Sequence, residues 1–274
     1  MLKFTDFILK LGEGVLEKER IFYHRAYKKI HTTDTALATF VKFLVLVIPF
    51  DFVIIRFHPE ITNIIALCVR FLLLKIGYSP ETVIATWPFL YKEVYILDLP
   101  SVYPTTAFSV LILILSILIP LVALRIKRLP KSLAIWIAFV CFTNLLSAAF
   151  FLLLPSKFPH TIYTFSDLYM KTEIGMWIFI PVILAIALTP LPSSMLEKFS
   201  LVLIVEAYSI VFGTLRYAIF LIVLEKFSFL FMAMLFFNFG PFFDFVYVVG
   251  FYALYLRGLT KRLATDMERW KWLF

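Results

Sequence analysis

Cysteine is nearly absent from this chain. The 274 residues hold two, Cys68 and Cys141. Both lie inside apolar stretches, so a disulfide-stapled fold is excluded and both read as small buried hydrophobes. Four histidines are scattered along the sequence, too few and too far apart for a metal or haem site. No CxxC, HExxH, GxGxxG or phosphate-loop pattern occurs, so no cofactor and no metal are expected. Charge is also scarce: Asp, Glu, Lys and Arg make up 16% of the residues, against about a quarter in a soluble domain. The first residues are charged and no apolar core follows them, so a cleavable leader is not expected. Low-complexity linkers and internal repeats are missing too, which counts against an inverted-repeat transporter.

What the chain has is apolar length. It is 62% hydrophobic, with a mean hydropathy of +0.94. Runs of about 20 apolar residues recur, each enough to cross roughly 30 Å of hydrocarbon. The fold class is therefore an all-α polytopic transmembrane bundle, with no room for a separate soluble domain. The net charge is +8, and the cations cluster beside the apolar runs. That pattern points to membrane lipids with anionic headgroups as partners, and not to nucleic acid.

The apolar runs 104–124 and 132–154 set the topology. Between them residues 125–131 carry Arg125, Lys127, Arg128 and Lys131, a loop that belongs in the cytoplasm under the positive-inside rule. Residues 1–34 carry seven cations, with Phe4, Phe7, Ile8, Leu11 and Val15 at helical spacing. They read as a cytoplasmic amphipathic helix, lying on the membrane or docked on the bundle. Residues 35–57 form the first span, with Pro49 as a kink. Residues 61–77 are short and hold Arg70 and Lys75. If they crossed, the basic loop 125–131 would face outside, so they are expected to lie at the outer interface. Residues 79–103, rich in aromatic and β-branched side chains between prolines, suit an extended external segment with a short hairpin.

The remaining segments alternate. Residues 155–173 read as a second external loop, 174–191 as a span, 199–224 as a span and 227–256 as a span broken at Asn238-Phe239-Gly240-Pro241. Residues 257–274 end the chain as a cytoplasmic amphipathic tail. Six spans, over residues 35–256, with both termini in the cytoplasm of a prokaryotic cell, satisfy every basic loop together.

Polar side chains inside apolar runs are the candidate site, because charge in hydrocarbon is expensive and usually faces the bundle interior. Arg216, Asn144, Asp244 and Asp51 are expected to converge in the outer half, with Arg216 paired to Asp244 or Asp51. Glu206 is too far from Arg216 along one helix to touch it, and needs another partner or a proton. His160 is a candidate general acid or base in the second outer loop, or simply an exposed loop histidine. Ser101 and Thr105 flank the head of the helix beginning near Pro104. Their hydroxyls are candidate binding groups, and capping that helix is the competing reading.

Several stretches carry a family resemblance. Segment 61–77 ends in Leu73-x-x-x-Gly77. A Val-rich external stretch, 94–97, precedes the helix at Pro104, a basic inner loop follows it, and then come Thr143-Asn144 and the loop with His160. This layout, over about residues 39–190, resembles the exosortase/archaeosortase family of polytopic prokaryotic enzymes. Those cleave carboxy-terminal sorting tails and attach the protein to a lipid or other acceptor. The family nucleophile is a Cys at the head of the Pro104 helix; residues 99–106 contain none. The family Arg after the Asn-bearing position is also absent, for Leu145-Leu146-Ser147-Ala148 stands there. The resemblance thus implies an exosortase-like protein without thiol transpeptidase chemistry, binding a lipid or a protein's transmembrane tail in an outward-facing groove. Of the family's Cys, Arg and His only His160 has a counterpart, and Arg216 is a candidate to fill a comparable volume from another helix. Two further readings stand beside it: a structural subunit of a larger membrane complex, and a small ion- or proton-coupled transporter using Glu206, Asp244 and the Gly240-Pro241 break.

Overall fold

A computed structural model describes residues 28–30, 35–126, 129–263 and 270–272. Six segments are helical, long and apolar enough to cross a membrane, as the composition demanded. The amphipathic positions 4–15 lie outside the described residues. Lys28–Ile30, within the stretch read as helical, is instead a short strand, β1, paired antiparallel with β4, Trp270–Trp272, near the other end of the chain.

The first helix, α1, runs unbroken over Ala36–Ile76. This corrects the division into a span at 35–57 and a separate interfacial helix at 61–77. At about 1.5 Å per residue, its 41 residues extend roughly 60 Å, about twice the hydrocarbon thickness. Segment 61–77 therefore adds no crossing, and the number of spans stays at six. It is the far half of α1, burying Ile65, Ala66, Val69 and Leu73. Pro59 does not end the helix because its missing N–H is replaced. The carbonyl of Ile55, which Pro59 leaves free, lies 3.0 Å from Nδ1 of the fully buried His58. The helix starts on Thr35, whose hydroxyl accepts from the Ala38 N–H, and stops at Gly77 in the left-handed region.

The expected external hairpin is present: β2, Glu81–Ile84, pairs antiparallel with β3, Tyr95–Asp98. It lies on α1 and on α4, Ile162–Leu188. Tyr95 donates its N–H to Thr62 Oγ1, and Leu97 donates its own to the Tyr217 hydroxyl. His58 Nε2 lies 3.1 Å from the Phe89 carbonyl at the turn.

Helices α2, Thr106–Arg125, and α3, Lys131–Leu153, form the hairpin expected from the basic loop. Its seam is built from small residues. Ser109, Ser116 and Ala123 are the buried residues of α2, and Ala134, Cys141 and Ala148 are buried on α3. Each set has heptad spacing, and counted back from the loop they fall opposite one another. Small side chains let two apolar helices approach closely without any hydrophobic drive between them.

Helix α4 starts at Ile162 on a Thr161 capping box. Residues 155–173 are therefore not one loop: Asp167, Tyr169, Lys171 and Glu173 are helical. Helix α5, Met195–Lys226, packs beside α4 and α1. The last span is broken as expected. A turn of 3-10 helix at Phe229–Phe231 and a π turn at Met234–Asn238 precede α6, Pro241–Leu263. Gly240 is obligatory at the break, since a Cβ there would stand 2.2 Å from the Phe236 carbonyl oxygen. The largest core lies between α1, the hairpin, α4, α5 and residues 229–235.

Candidate functional site

Arg216, on the buried face of α5, is the most heavily bonded side chain among the described residues. Its guanidinium is 4% exposed. Nη1 and Nη2 grip the two oxygens of Asp244 at 2.9 and 3.0 Å, a bidentate fork. Nη2 also bonds Glu173 Oε1 on α4, and Nε donates to the Tyr169 hydroxyl at 3.0 Å. Nη1 further donates to the carbonyls of Gly240 and Phe239, at 3.0 and 3.3 Å. Those acceptors exist because the chain breaks there. The Phe243 N–H turns to the Gly240 carbonyl, which leaves the Phe239 carbonyl to Arg216. The break is thus part of the arginine's coordination.

The expected Arg216–Asp244 pair is present, and Asp51 takes no part in it. Glu173 was missed, because residues 155–173 read as loop. Thr161 with Thr164 three residues later is the cap signal that would have placed it on a helix. Gly213, one turn before Arg216, admits the Glu173 carboxylate: a Cβ there would lie 2.6 Å from Glu173 Oε2. Tyr169 donates to the Gly213 carbonyl at 2.9 Å and stacks on Tyr217 at 5.1 Å. With all its donor directions taken, Arg216 is a clamp between α4, α5 and α6. It is not a free anion-binding group.

The other predicted polar residues do not converge on it. Asn144 of α3 donates to the sulfur of Met234 at 3.1 Å, against the π turn. Beside it Asn238 donates to Thr143 Oγ1 at 2.8 Å. Asp51 sits on α1 where Phe50 meets Phe199 of α5, with ring centroids 4.6 Å apart. Glu206 is 4% exposed, and neither carboxylate oxygen has a hydrogen-bond partner.

A third locus lies at the head of α2. The Thr105 hydroxyl accepts from the Phe108 N–H, which makes it the helix cap. Ser101 Oγ accepts from the Ile162 N–H at 3.0 Å and so ties the chain before α2 to the start of α4. His160 is half-buried, with its ring edge-on to Phe158 at 5.5 Å and its carbonyl bonded by the Tyr103 hydroxyl. It borders a cavity of 360 Å³ lined by Phe150 and Phe151 of α3, Phe158, and Phe229, Met232 and Phe236 from the broken span. Arg216 lines a different, smaller cleft of 160 Å³. No thiol stands near His160's cavity: Cys141 is buried in the α2–α3 seam, and Cys68 is exposed on α1, against the expectation that both are buried.

No family model, no curated protein and no solved structure matches this chain. The geometry therefore stands on its own. It offers an ion-pair clamp at Arg216, a buried carboxylate without a hydrogen-bond partner at Glu206, and an apolar cavity edged by a histidine. Among the described residues no three His, Cys, Asp or Glu side chains are grouped to hold a metal ion.

Proposed function

We propose that this is a multi-pass membrane protein of the prokaryotic cell membrane, exosortase-like in layout and without thiol catalysis, that holds a lipid acyl chain in the cavity beside His160. The observation that carries this reading is the lining of that cavity. Phenylalanine, leucine and methionine form its walls, and His160 and Ser147 are its polar groups. An acyl chain suits the walls, while a headgroup finds His160 and the exposed Lys157 in the turn that follows α3.

Size favours a lipid over a protein tail. A helix with its side chains is about 11 Å across. A single hydrocarbon chain is slimmer and fits lengthwise. The cytoplasmic placement of both ends and of the 125–131 loop belongs to the same proposal and rests on the charge rule.

The test is cross-linking with a diazirine-tailed phospholipid in liposomes containing the full chain. Labels are expected on peptides holding Phe150, Phe158 and Phe236, and are lost when Ser147→Trp fills the cavity. Labelling spread evenly over all lipid-facing helices, and unchanged by Ser147→Trp, refutes the reading. Competition by a transmembrane tail peptide but not by lipid would transfer the cavity to a protein substrate.

A further inference from the structure

A second cavity, of 450 Å³, lies at the loop end of the α2–α3 hairpin. It meets α3 at Lys131, Ala134 and Ile135, whereas the cavity beside His160 meets α3 at residues 146–151. At least about 16 Å of helix separates the two. Ala123 and Ala134 are the last small residues of the seam, and both are buried. Just beyond them α2 ends at Arg125 and α3 begins at Lys131. The two helices have 20 and 23 residues, each about one hydrocarbon thickness long. Their joined ends therefore lie at the level of lipid headgroups.

The lining of this cavity is of two kinds. Arg125 and Lys131 supply positive charge from the two helix ends, and both are exposed. The rest of the lining is apolar, with Leu124 and Ile135 exposed on the two helices. Nothing within the hairpin balances the cations, for no Asp or Glu occurs in residues 99–166. Among the described residues neither cation makes an ion pair. A free inorganic anion would pair with the cations and leave the apolar lining in water. A bare acyl chain would cover the lining and leave the cations unpaired. A lipid with a net negative headgroup satisfies both. Arginine makes paired hydrogen bonds to phosphate oxygens, lysine adds a point charge, and the acyl chains cover apolar surface.

We propose that this cavity binds one anionic phospholipid, with Arg125 and Lys131 holding its phosphate and its acyl chains running over Leu124 and Ile135. The claim is narrower than the general attraction of basic loops to acidic membranes. It specifies one lipid per chain and two residues that converge on one cavity, and it leaves other exposed cations of the bundle without a part. The site stands independently of the cavity beside His160. Its occupant bridges the ends of α2 and α3, which small side chains alone hold together along the seam. The negative headgroup relieves the repulsion between two cations brought to one cavity.

The test titrates lipid onto the delipidated full chain in nonionic detergent and counts bound lipids by native mass spectrometry. Phosphatidylglycerol is expected to fill one site more tightly than phosphatidylcholine does. Arg125→Gln and Lys131→Gln each weaken that binding about fivefold, and together by about the product. Arg257→Gln with Lys261→Gln removes two exposed cations of α6 that do not line the cavity, and leaves the binding unchanged. Equal affinity for the two lipids, or unchanged binding in the Arg125→Gln, Lys131→Gln double variant, overturns the proposal. An equal loss in the α6 pair overturns the location. Displacement of phosphatidylglycerol by inorganic phosphate at constant ionic strength overturns it in favour of a free-anion site. Cross-linking beside His160 is unaffected by Arg125→Gln and Lys131→Gln, and Ser147→Trp leaves phosphatidylglycerol binding intact, so either proposal can fail without the other.

Discussion

Gly213→Ala is a sharp test of the Arg216 clamp. In an open helix this change is favourable, since alanine is the better helix former by about 0.8–1 kcal/mol. At Gly213 the new methyl group would stand 2.6 Å from Glu173 Oε2 and 3.4 Å from the carboxyl carbon. Glu173 has no slack, because its other oxygen is bonded to Arg216. Crowding of this kind costs about 1–3 kcal/mol, and full loss of a buried pair about 3–5 kcal/mol. A net destabilisation of about 1–3 kcal/mol is expected. Gly250→Ala is the control, for nothing lies within 4 Å of a Cβ there, and it is expected to be neutral or slightly stabilising. The assay is unfolding by sodium dodecyl sulfate in mixed micelles, followed by tryptophan fluorescence. In a Glu173→Ala background the cost of Gly213→Ala is expected to vanish, because the clashing atoms are gone. Equal stability of Gly213→Ala and Gly250→Ala, or simple additivity with Glu173→Ala, refutes the geometry.

Further expectations concern other elements. Asp244→Ala leaves Arg216 with one acid partner and is expected to destabilise by about 3–5 kcal/mol in the same unfolding assay. Arg216→Lys does not rescue the clamp, since an ammonium cannot reproduce the bidentate fork; wild-type stability in that variant contradicts it. His58→Phe removes the ring nitrogens that face the Ile55 and Phe89 carbonyls, one of which a neutral imidazole can donate to, at a cost of about 1–3 kcal/mol, and faster amide exchange is expected across 81–98. Ser116→Leu pushes α2 and α3 apart at a cost of about 1–3 kcal/mol, measured as faster proteolysis in the loop between them.

How much of this was legible depends on where the information sits. The α2–α3 hairpin was readable because two uniform apolar runs flank a dense basic loop, and both signals are local. Six crossings followed from the parity of charged loops, and that parity survives the merging of 35–57 with 61–77. The merging itself was hidden. Pro59, Arg70 and Lys75 look like interruptions, and only a side chain folded back on the backbone, His58 on Ile55, repairs the proline. The Arg216–Asp244 pair was legible because each residue lies alone in apolar surroundings and needs an opposite charge. Glu173 was not, because Asp167, Lys171 and their neighbours give the first turns of α4 the polarity of a loop. Asp51 was expected beside Arg216 on grounds of depth alone. It lies instead beside Phe50, which packs on Phe199 of α5, and depth carries no information about rotation.

The small-residue seam has a consequence for the order of assembly. Its contacts are complete within residues 106–153, so α2 and α3 can close on each other while the rest of the chain is still being made. The cavity beside His160 cannot exist then. One wall comes from 146–160 and the other from 229–237, and that second wall is among the last parts of the bundle to be synthesised. On the proposed lipid reading, an acyl chain lying against the finished hairpin meets an open shelf, and Phe229 and Phe236 later add its second wall.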